Sequence, residues 1–154
     1  MTQLSKHFSL RELTRSQTAS RRGIENTPSS TVVTNLRLLC AEILEPVREL
    51  LGVPLLITSG YRSAKLNKAI GSTAPNSAHI FGNAADFEPM GMGLMEAFDR
   101  IRRSGISFDQ LIQEAGPDGW IHIARANVPR GQVFLARGKP GKWSYFAAPP
   151  LEDK

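Results

Sequence analysis

Cysteine is almost absent from this chain of 154 residues, which has only Cys40. An intramolecular disulfide is therefore excluded, and packing must hold the fold together. Cys40 lies in an apolar helical pattern, which favours a buried structural thiol over a reactive one. Long apolar runs are absent too, since no stretch approaches the roughly 20 apolar residues of a membrane-spanning helix. We therefore expect no membrane span.

The N-terminal segment 1–7 lacks the apolar core of a secretory signal and meets a charge at Lys6. We therefore expect synthesis in the cytoplasm without a signal peptide. Any action outside the cytoplasm would then require another route of release.

Acidic residues are the minority among the charged side chains. The chain has 19 Lys and Arg against 14 Asp and Glu, a net charge of +5. This excess favours polyanionic partners, namely nucleic acid, anionic lipid or an anionic cell-wall polymer. Only the charge supports nucleic acid, because there is no zinc-finger pattern and no interleaving of aromatic with basic residues.

The length and the 41% apolar content are typical of one soluble domain, 1–154, with a core from about 8 to 137. Helical patterns come first and strand patterns later, which predicts an α+β fold with a mostly antiparallel sheet and helices packed against it. Pro46 should kink or divide the second helix, and Gly52 should end it. The expected helices are 9–16 (with a Ser9–Glu12 capping box), 30–51 (capped by Ser30), 63–70 and 94–104; the expected strands are 54–59, 83–88, 108–114, 120–125 and 132–137; the expected loops are 21–29 and 71–78; and 138–154 is a turn-rich tail.

Histidine is scarce, since the chain has only three. Of these, His79 lies seven residues before Asp86, and His122 lies in a strand pattern. His79 and Asp86 are separated by a segment in which Gly82 lets the chain turn. His122 alternates with Ile121 and Ile123, so the isoleucines can fill the core while His122 faces a cleft. Two imidazoles and one carboxylate are a common catalytic zinc set, because three protein ligands leave a fourth position open. The alternatives are a polar loop histidine and a half-buried strand histidine.

Three segments resemble the zinc D-Ala-D-Ala carboxypeptidase family, peptidoglycan metallopeptidases that share their fold with hedgehog signalling domains. The segments are 59–63 (SGYRS), 77–86 (SAHIFGNAAD) and 120–122 (WIH). The segment 8–13 (FSLREL) is similar to that of a phage and bacterial branch. The resemblance implies a hedgehog-type fold and one Zn²⁺ ion held by His79, Asp86 and His122.

A zinc peptidase also needs a base that takes a proton from water. Glu114 at a strand end and Asp118 in the following turn are the two candidates. Many family members carry an acid three residues before the last histidine, where this chain has Gly119. The resemblance to the phage and bacterial branch therefore favours Glu114, with Asp118 as the runner-up. Asp118 is also explained by turn formation.

The resemblance assigns substrate binding to Arg62, whose guanidinium can hold a carboxylate through two hydrogen bonds. An exposed structural arginine is the alternative. Ser77 is expected to orient His79 or to touch the substrate. Trp120 is expected either to line the cleft or to belong to the core.

The resemblance implies a zinc-dependent peptidase that cuts stem peptides or cross-links of peptidoglycan, of the D,D-carboxypeptidase or endopeptidase type. Such a protein would be a phage endolysin or a wall-remodelling enzyme, acting on the cell wall after release, and we expect a monomer. The positive charge would favour the anionic wall. The alternatives are L-Ala-D-Glu endopeptidase specificity, a non-catalytic zinc-stabilised binding module and a nucleic-acid-binding protein.

Overall fold

A six-stranded sheet forms the centre of the computed structural model, which describes residues 2–72, 74–139 and 141–151. The strand order is β1-β2-β4-β3-β5-β6, and the only parallel neighbours among these strands are β3 and β5. The predicted α+β fold with a mostly antiparallel sheet is therefore confirmed. The strands are β1 Leu55–Ser59, β2 Ala84–Pro89, β3 Gln110–Glu114, β4 Trp120–Ala124, β5 Gln132–Lys139 and β6 Lys142–Ala147.

Six α-helices among the described residues accompany the sheet. Helix α6 packs against β2, β3 and β4, and α4 packs against α6. Within the described part of the chain, no helix is long and apolar enough to cross a membrane. The helices are α1 Leu10–Thr14, α2 Gln17–Arg22, α3 Ser30–Leu39, α4 Glu45–Leu51, α5 Ala64–Ala69 and α6 Leu94–Arg103.

The two faces of the sheet differ in chemistry. Ile121, Ile123, Leu111 and Phe87 are fully buried and belong to the main apolar core. Side chains alternate along a strand, so the intervening residues point to the opposite face. That face carries His122 on β4, as the alternation predicts, and the register places it beside Asp86 of β2.

The observed helix starts agree with the capping residues in the sequence, except that one predicted cap is displaced by one residue and one helix was not predicted. The capping box of α1 is present, with Ser9 and Glu12 each bonding the other's backbone N–H. Helix α3 is capped by Ser29, whose hydroxyl accepts from the N–H of Val32, so the predicted cap at Ser30 is wrong by one residue. Helix α2 was not predicted, because its six residues are too few to show an apolar period.

Pro46 interrupts the long helix, as predicted. The five residues Cys40–Leu44 form a π-helical turn between α3 and α4. Proline has no N–H and its ring crowds the carbonyl four residues back, which a widened turn accommodates. Cys40 is fully buried there, and burial raises the pKa of its thiol to about 12. The prediction of a buried structural thiol is confirmed.

The segment expected to be a turn-rich tail contains β6, which pairs antiparallel with β5. Gly141 precedes this strand and Pro149 and Pro150 follow it, while Trp143, Tyr145 and Phe146 give its interior strong strand propensity. The parts of the tail prediction that concern residues 140 and 152–154 lie outside the described residues.

Candidate active site

His79, Asp86 and His122 meet at the open face of the sheet. Asp86 and His122 are direct cross-strand partners on β2 and β4, and His79 enters from the short 3₁₀ turn Ala78–Phe81. Asp86 Oδ1 lies 3.3 Å from His79 Nε2 and 3.0 Å from His122 Nδ1. All three residues are buried, and the two imidazole rings are 5.1 Å apart. The chain therefore brings the three predicted ligands together.

The ring of His79 is fixed by the backbone at the end of β1. Its Nδ1 lies 2.7 Å from the carbonyl oxygen of Gly60. A carbonyl can only accept, so Nδ1 carries the proton and Nε2 presents its lone pair to the cluster. A side chain at Gly60 would overlap the backbone of Leu13, so glycine is required for this approach. Ser77 accepts a hydrogen bond from the backbone N–H of His79 at 3.3 Å, which starts the 3₁₀ turn.

The guanidinium of Arg62 is bonded to the far side of Asp86. Its Nη2 donates to Asp86 Oδ2 at 3.0 Å, its Nε to Ser59 Oγ at 2.9 Å and its Nη1 to Asn67 Oδ1 at 3.3 Å. A register shift in β1 between Ile57 and Ser59 accompanies this arrangement. Arg62 therefore orients a cluster carboxylate, and the substrate-binding role assigned to it stays a prediction.

The electrostatics of the cluster favour a neutral His79 and an ionised Asp86. Burial lowers the pKa of His79, although the charge of Asp86 opposes this. For Asp86, burial would raise the pKa, but its close contacts with His79 and His122 bring it well below its usual range. Burial would likewise lower the pKa of His122, and its hydrogen bond to Asp86 raises it instead.

These residues fit a divalent metal ion. One donor atom from each of the three side chains lies within 4.8 Å of the others. Ligand atoms about 2.0 to 2.1 Å from a tetrahedral ion lie about 3.3 Å apart, which is close to the observed spacings around Asp86 Oδ1. Each outer contact, Gly60 to His79 and Arg62 to Asp86, is the kind of hydrogen bond that orients a metal ligand. The donor set of two imidazoles and one carboxylate leaves room for water and a substrate.

A model of the peptidase M15 family matches residues 6–124 of the chain. The chain belongs to the peptidase M15 family. The resemblance to zinc D-Ala-D-Ala carboxypeptidases is thereby confirmed at the level of the family, whose peptidases depend on a metal ion. The matched residues include the whole His79–Asp86–His122 cluster and end at the last residue of β4, so β5 and β6 lie beyond them. No curated protein matches the chain.

In this M15 peptidase, Glu114 is the carboxylate beside the cluster. It ends β3, and its Oε1 lies 3.8 Å from His122 Nδ1. Burial and the charge of Asp86 raise the pKa of Glu114 to about 7, although His122 opposes this. Asp118 is exposed in the 3₁₀ turn Gly116–Asp118 and does not line the cleft. The structure therefore brings Glu114 to the cluster and leaves Asp118 outside it.

Gly119, at the position where many family members carry an acid, has no room for a side chain. A Cβ atom there would overlap the carbonyl oxygen of Glu114. The chain turns sharply between the two residues, since Ala115 and Gly116 both adopt left-handed conformations with φ of 65° and 74°. The same turn that excludes an acid at position 119 thus places Glu114 at the end of β3.

The cluster lies in an open cleft of about 920 Å³. Trp120 lines this cleft, which agrees with one of its two predicted placements, and Ser77 lines it as well. A smaller depression of about 340 Å³ on the β1 side shares Arg62, Asp86 and Trp120 with it. The cleft residues that sequence reasoning missed include four from β5 and β6, namely Phe134, Lys142, Trp143 and Tyr145. The alternation of aromatic residues in 143–146 was the signal that could have revealed them.

Proposed function

We propose that this M15 peptidase uses zinc to hydrolyse peptide bonds in the stem peptides or cross-links of peptidoglycan. The observation that carries the proposal is the convergence of His79, Asp86 and His122, with Glu114 beside them at the floor of an open cleft. A purely structural zinc site is normally closed by four protein ligands. Here three ligands and a neighbouring carboxylate face the cleft, which is the arrangement that hydrolysis requires.

His79 Nε2, Asp86 and His122 Nδ1 would hold the ion. Zn²⁺ bound there would supply Lewis acidity, which makes water more acidic and polarises a carbonyl group. Glu114 lies within reach of this position and accepts the proton from water, then delivers it to the leaving amine. Its raised pKa suits both steps, since a group that titrates near neutral pH can accept and return a proton.

The net charge of +5 would help the protein to concentrate on an anionic cell wall. We propose that it reaches the wall after the membrane has been permeabilised, as an endolysin does. Comparing the lysis of intact and permeabilised bacteria by added protein tests this route. Equal lysis of both would contradict it.

Digestion of purified peptidoglycan tests the proposed function. Wild-type protein loaded with zinc, the same protein stripped by a chelator, and the stripped protein after zinc is restored are compared by mass spectrometry of the released fragments. We expect zinc-dependent release that stops with the chelator and returns with zinc. Free D-Ala would identify a carboxypeptidase, separated stem peptides a cross-link endopeptidase, and new N-terminal D-Glu an L-Ala-D-Glu endopeptidase. No new fragment ends from protein with zinc bound would contradict the proposal and favour a binding module.

A further inference from the structure

The open face of the sheet continues past the family-matched residues onto β5 and β6. Glu114 of β3 is level with Ala136 of β5, and Ala136 is level with Tyr145 of β6. In the next row, Ile112 is level with Phe134. Residues level with each other on paired strands share a face. Tyr145 and Phe134 therefore lie on the same face as the candidate base.

Aromatic side chains make this extension a continuous surface. Trp143 contacts Trp120 edge to face, with the ring centres 6.0 Å apart, and so joins β6 to the strand that carries His122. Phe134 and Tyr145 contact each other in the same way at 6.2 Å. Tyr145 nevertheless remains 56% exposed toward the cleft. We call Phe134, Lys142, Trp143 and Tyr145 the β5–β6 wall.

The wall also carries a cation with no carboxylate partner among the described residues. Three arginines line the cleft, and each is paired: Arg62 with Asp86, Arg125 with Glu42, and Arg130 with Asp109. Lys142, the first residue of β6, is exposed and lines the same cleft, although the alternation along β6 starts its side chain on the face opposite to that of Tyr145. An ammonium group in the same cleft as the exposed ring of Tyr145 suits a ligand that has both apolar groups and a carboxylate.

The distance from the cluster to the wall corresponds to several residues of a peptide. Neighbouring strands are about 4.8 Å apart, so the three steps from β4 to β6 cover about 14 Å. An extended peptide advances about 3.3 Å per residue, and about four residues span this distance. By this backbone spacing β6 lies several peptide residues from the cluster, although the side chain of Trp143 reaches back to Trp120 on β4.

We propose that the β5–β6 wall binds the substrate peptide some two to four residues away from the scissile bond, with Tyr145 against its apolar groups and Lys142 on a free carboxylate. This inference rests on the proposed function. The substrate class is a peptide of at least four residues with small apolar side chains and a carboxylate on one flank, as in an acidic stem peptide. The family-matched residues would then supply the chemistry, and the strands beyond them the recognition of substrate length and charge.

Two substrates with the same scissile bond test the wall, namely a synthetic stem peptide and a blocked dipeptide. We expect the ratio of kcat/KM for the stem peptide to that for the dipeptide to fall about tenfold in Tyr145→Ala, the loss typical of one well-placed contact residue. Lys142→Gln should lower the ratio similarly, but not when the carboxylate of the stem peptide is replaced by an amide. Phe146→Ala is the matched control, because Phe146 is the neighbouring residue, is 53% exposed and lies on the opposite face of β6.

An unchanged ratio in Tyr145→Ala, or an equal fall in Phe146→Ala, would overturn the inference. If the wild-type protein cleaves neither peptide, the proposed function fails. The role of the β5–β6 wall is then tested separately by the affinity of the protein for the stem peptide. Stem-peptide affinity is then measured by tryptophan fluorescence in the wild type, Tyr145→Ala and Phe146→Ala. Weaker binding in Tyr145→Ala alone would support the wall, and equal affinities would overturn it.

Discussion

At the scale of single residues, the carbonyl oxygen of Glu114 occupies the space where a side chain at position 119 would begin. The carboxylate of Glu114 faces the cluster while its backbone presses against Gly119. This contact explains why an acid cannot stand three residues before His122 in this chain. Glu114 and Gly119 therefore act as one unit, in which the glycine permits the turn that positions the acid.

Gly119→Ala should destabilise the protein by about 3 kcal/mol or more, because overlap with backbone cannot be relieved by rotating a side chain. Thermal or denaturant unfolding measures this loss. Gly93→Ala is the control, since a Cβ atom there meets open space and Gly93 has no positive φ. Equal stabilities of the two variants would contradict the tight contact.

Sequence reasoning found the cluster because its residue types are rare in this chain and stand in a recognisable order. It also favoured Glu114 over Asp118 as the base, and the structure brings the carboxylate of Glu114 beside the cluster. It did not find the contact of Arg62 with Asp86. A register shift in β1 accompanies that contact, and no local sequence pattern predicts such a shift. The glycine requirement at position 119 was likewise invisible, because it arises from a contact with another strand end.

At the scale of elements, an ion pair between Asp109 and Arg130 holds the connection between β4 and β5 against the start of β3. This connection passes the start of β3, because β4 ends there and β5 begins there on the other side of β3. Arg130 donates from its backbone N–H and from two guanidinium nitrogens to the two carboxylate oxygens of Asp109. These hydrogen bonds bring the pKa of Asp109 below its usual value. The pair therefore helps to hold β5, and with it the β5–β6 wall, in register.

Arg130→Gln should lower the free energy of unfolding at pH 7, and the difference from wild type should shrink as the pH falls below about 4. A carboxylate whose pKa is lower in the folded state stabilises the fold above the pKa of the unfolded state, and this contribution is lost on acidification. Urea unfolding at pH 7, 5 and 3.5 measures the trend. Lys65→Gln, which removes an exposed charge on α5, is the control. A difference that grows toward low pH would contradict this account.

Capping residues, the spacing of apolar residues, and the helix-breaking residues proline and glycine were sufficient to predict most helices and strands. The capping box of α1, the interruption at Pro46 and the end at Gly52 are local effects, and all are confirmed. The parallel pairing of β3 with β5 was not predicted, because it depends on a connection that crosses β3 rather than on a turn. Helix α2 was missed because six residues carry a weak periodic signal, and β6 was missed because the turn-forming residues around it outweighed the aromatic alternation inside it.

At the scale of the whole molecule, the candidate metal ligands come from two separate parts of the chain. His79 precedes β2, Asp86 lies on β2 and His122 lies on β4. An ion bound only by the folded protein shifts the folding equilibrium toward the native state, by about 2.7 kcal/mol at a free concentration of 100 times Kd. Metal binding and stability should therefore be coupled.

His122→Ala should bind zinc at least about 100-fold more weakly, since even the partners that orient a ligand contribute 10- to 100-fold. Added zinc should raise the melting temperature of the wild type and leave that of His122→Ala nearly unchanged. His7→Ala is the control, because His7 pairs with Glu45 away from the cluster. A wild-type response to zinc in His122→Ala would contradict the ligand assignment.

The most direct test of the central claim measures zinc content and peptide-bond cleavage together in the wild type and in Glu114→Gln. The amide keeps the size of the side chain but cannot accept the proton from water. We predict one zinc per chain in both proteins, and cleavage in Glu114→Gln reduced by about 10²- to 10⁴-fold, the usual contribution of a general base. Cleavage by Glu114→Gln at the wild-type rate, or wild-type cleavage that survives removal of zinc, would contradict the account.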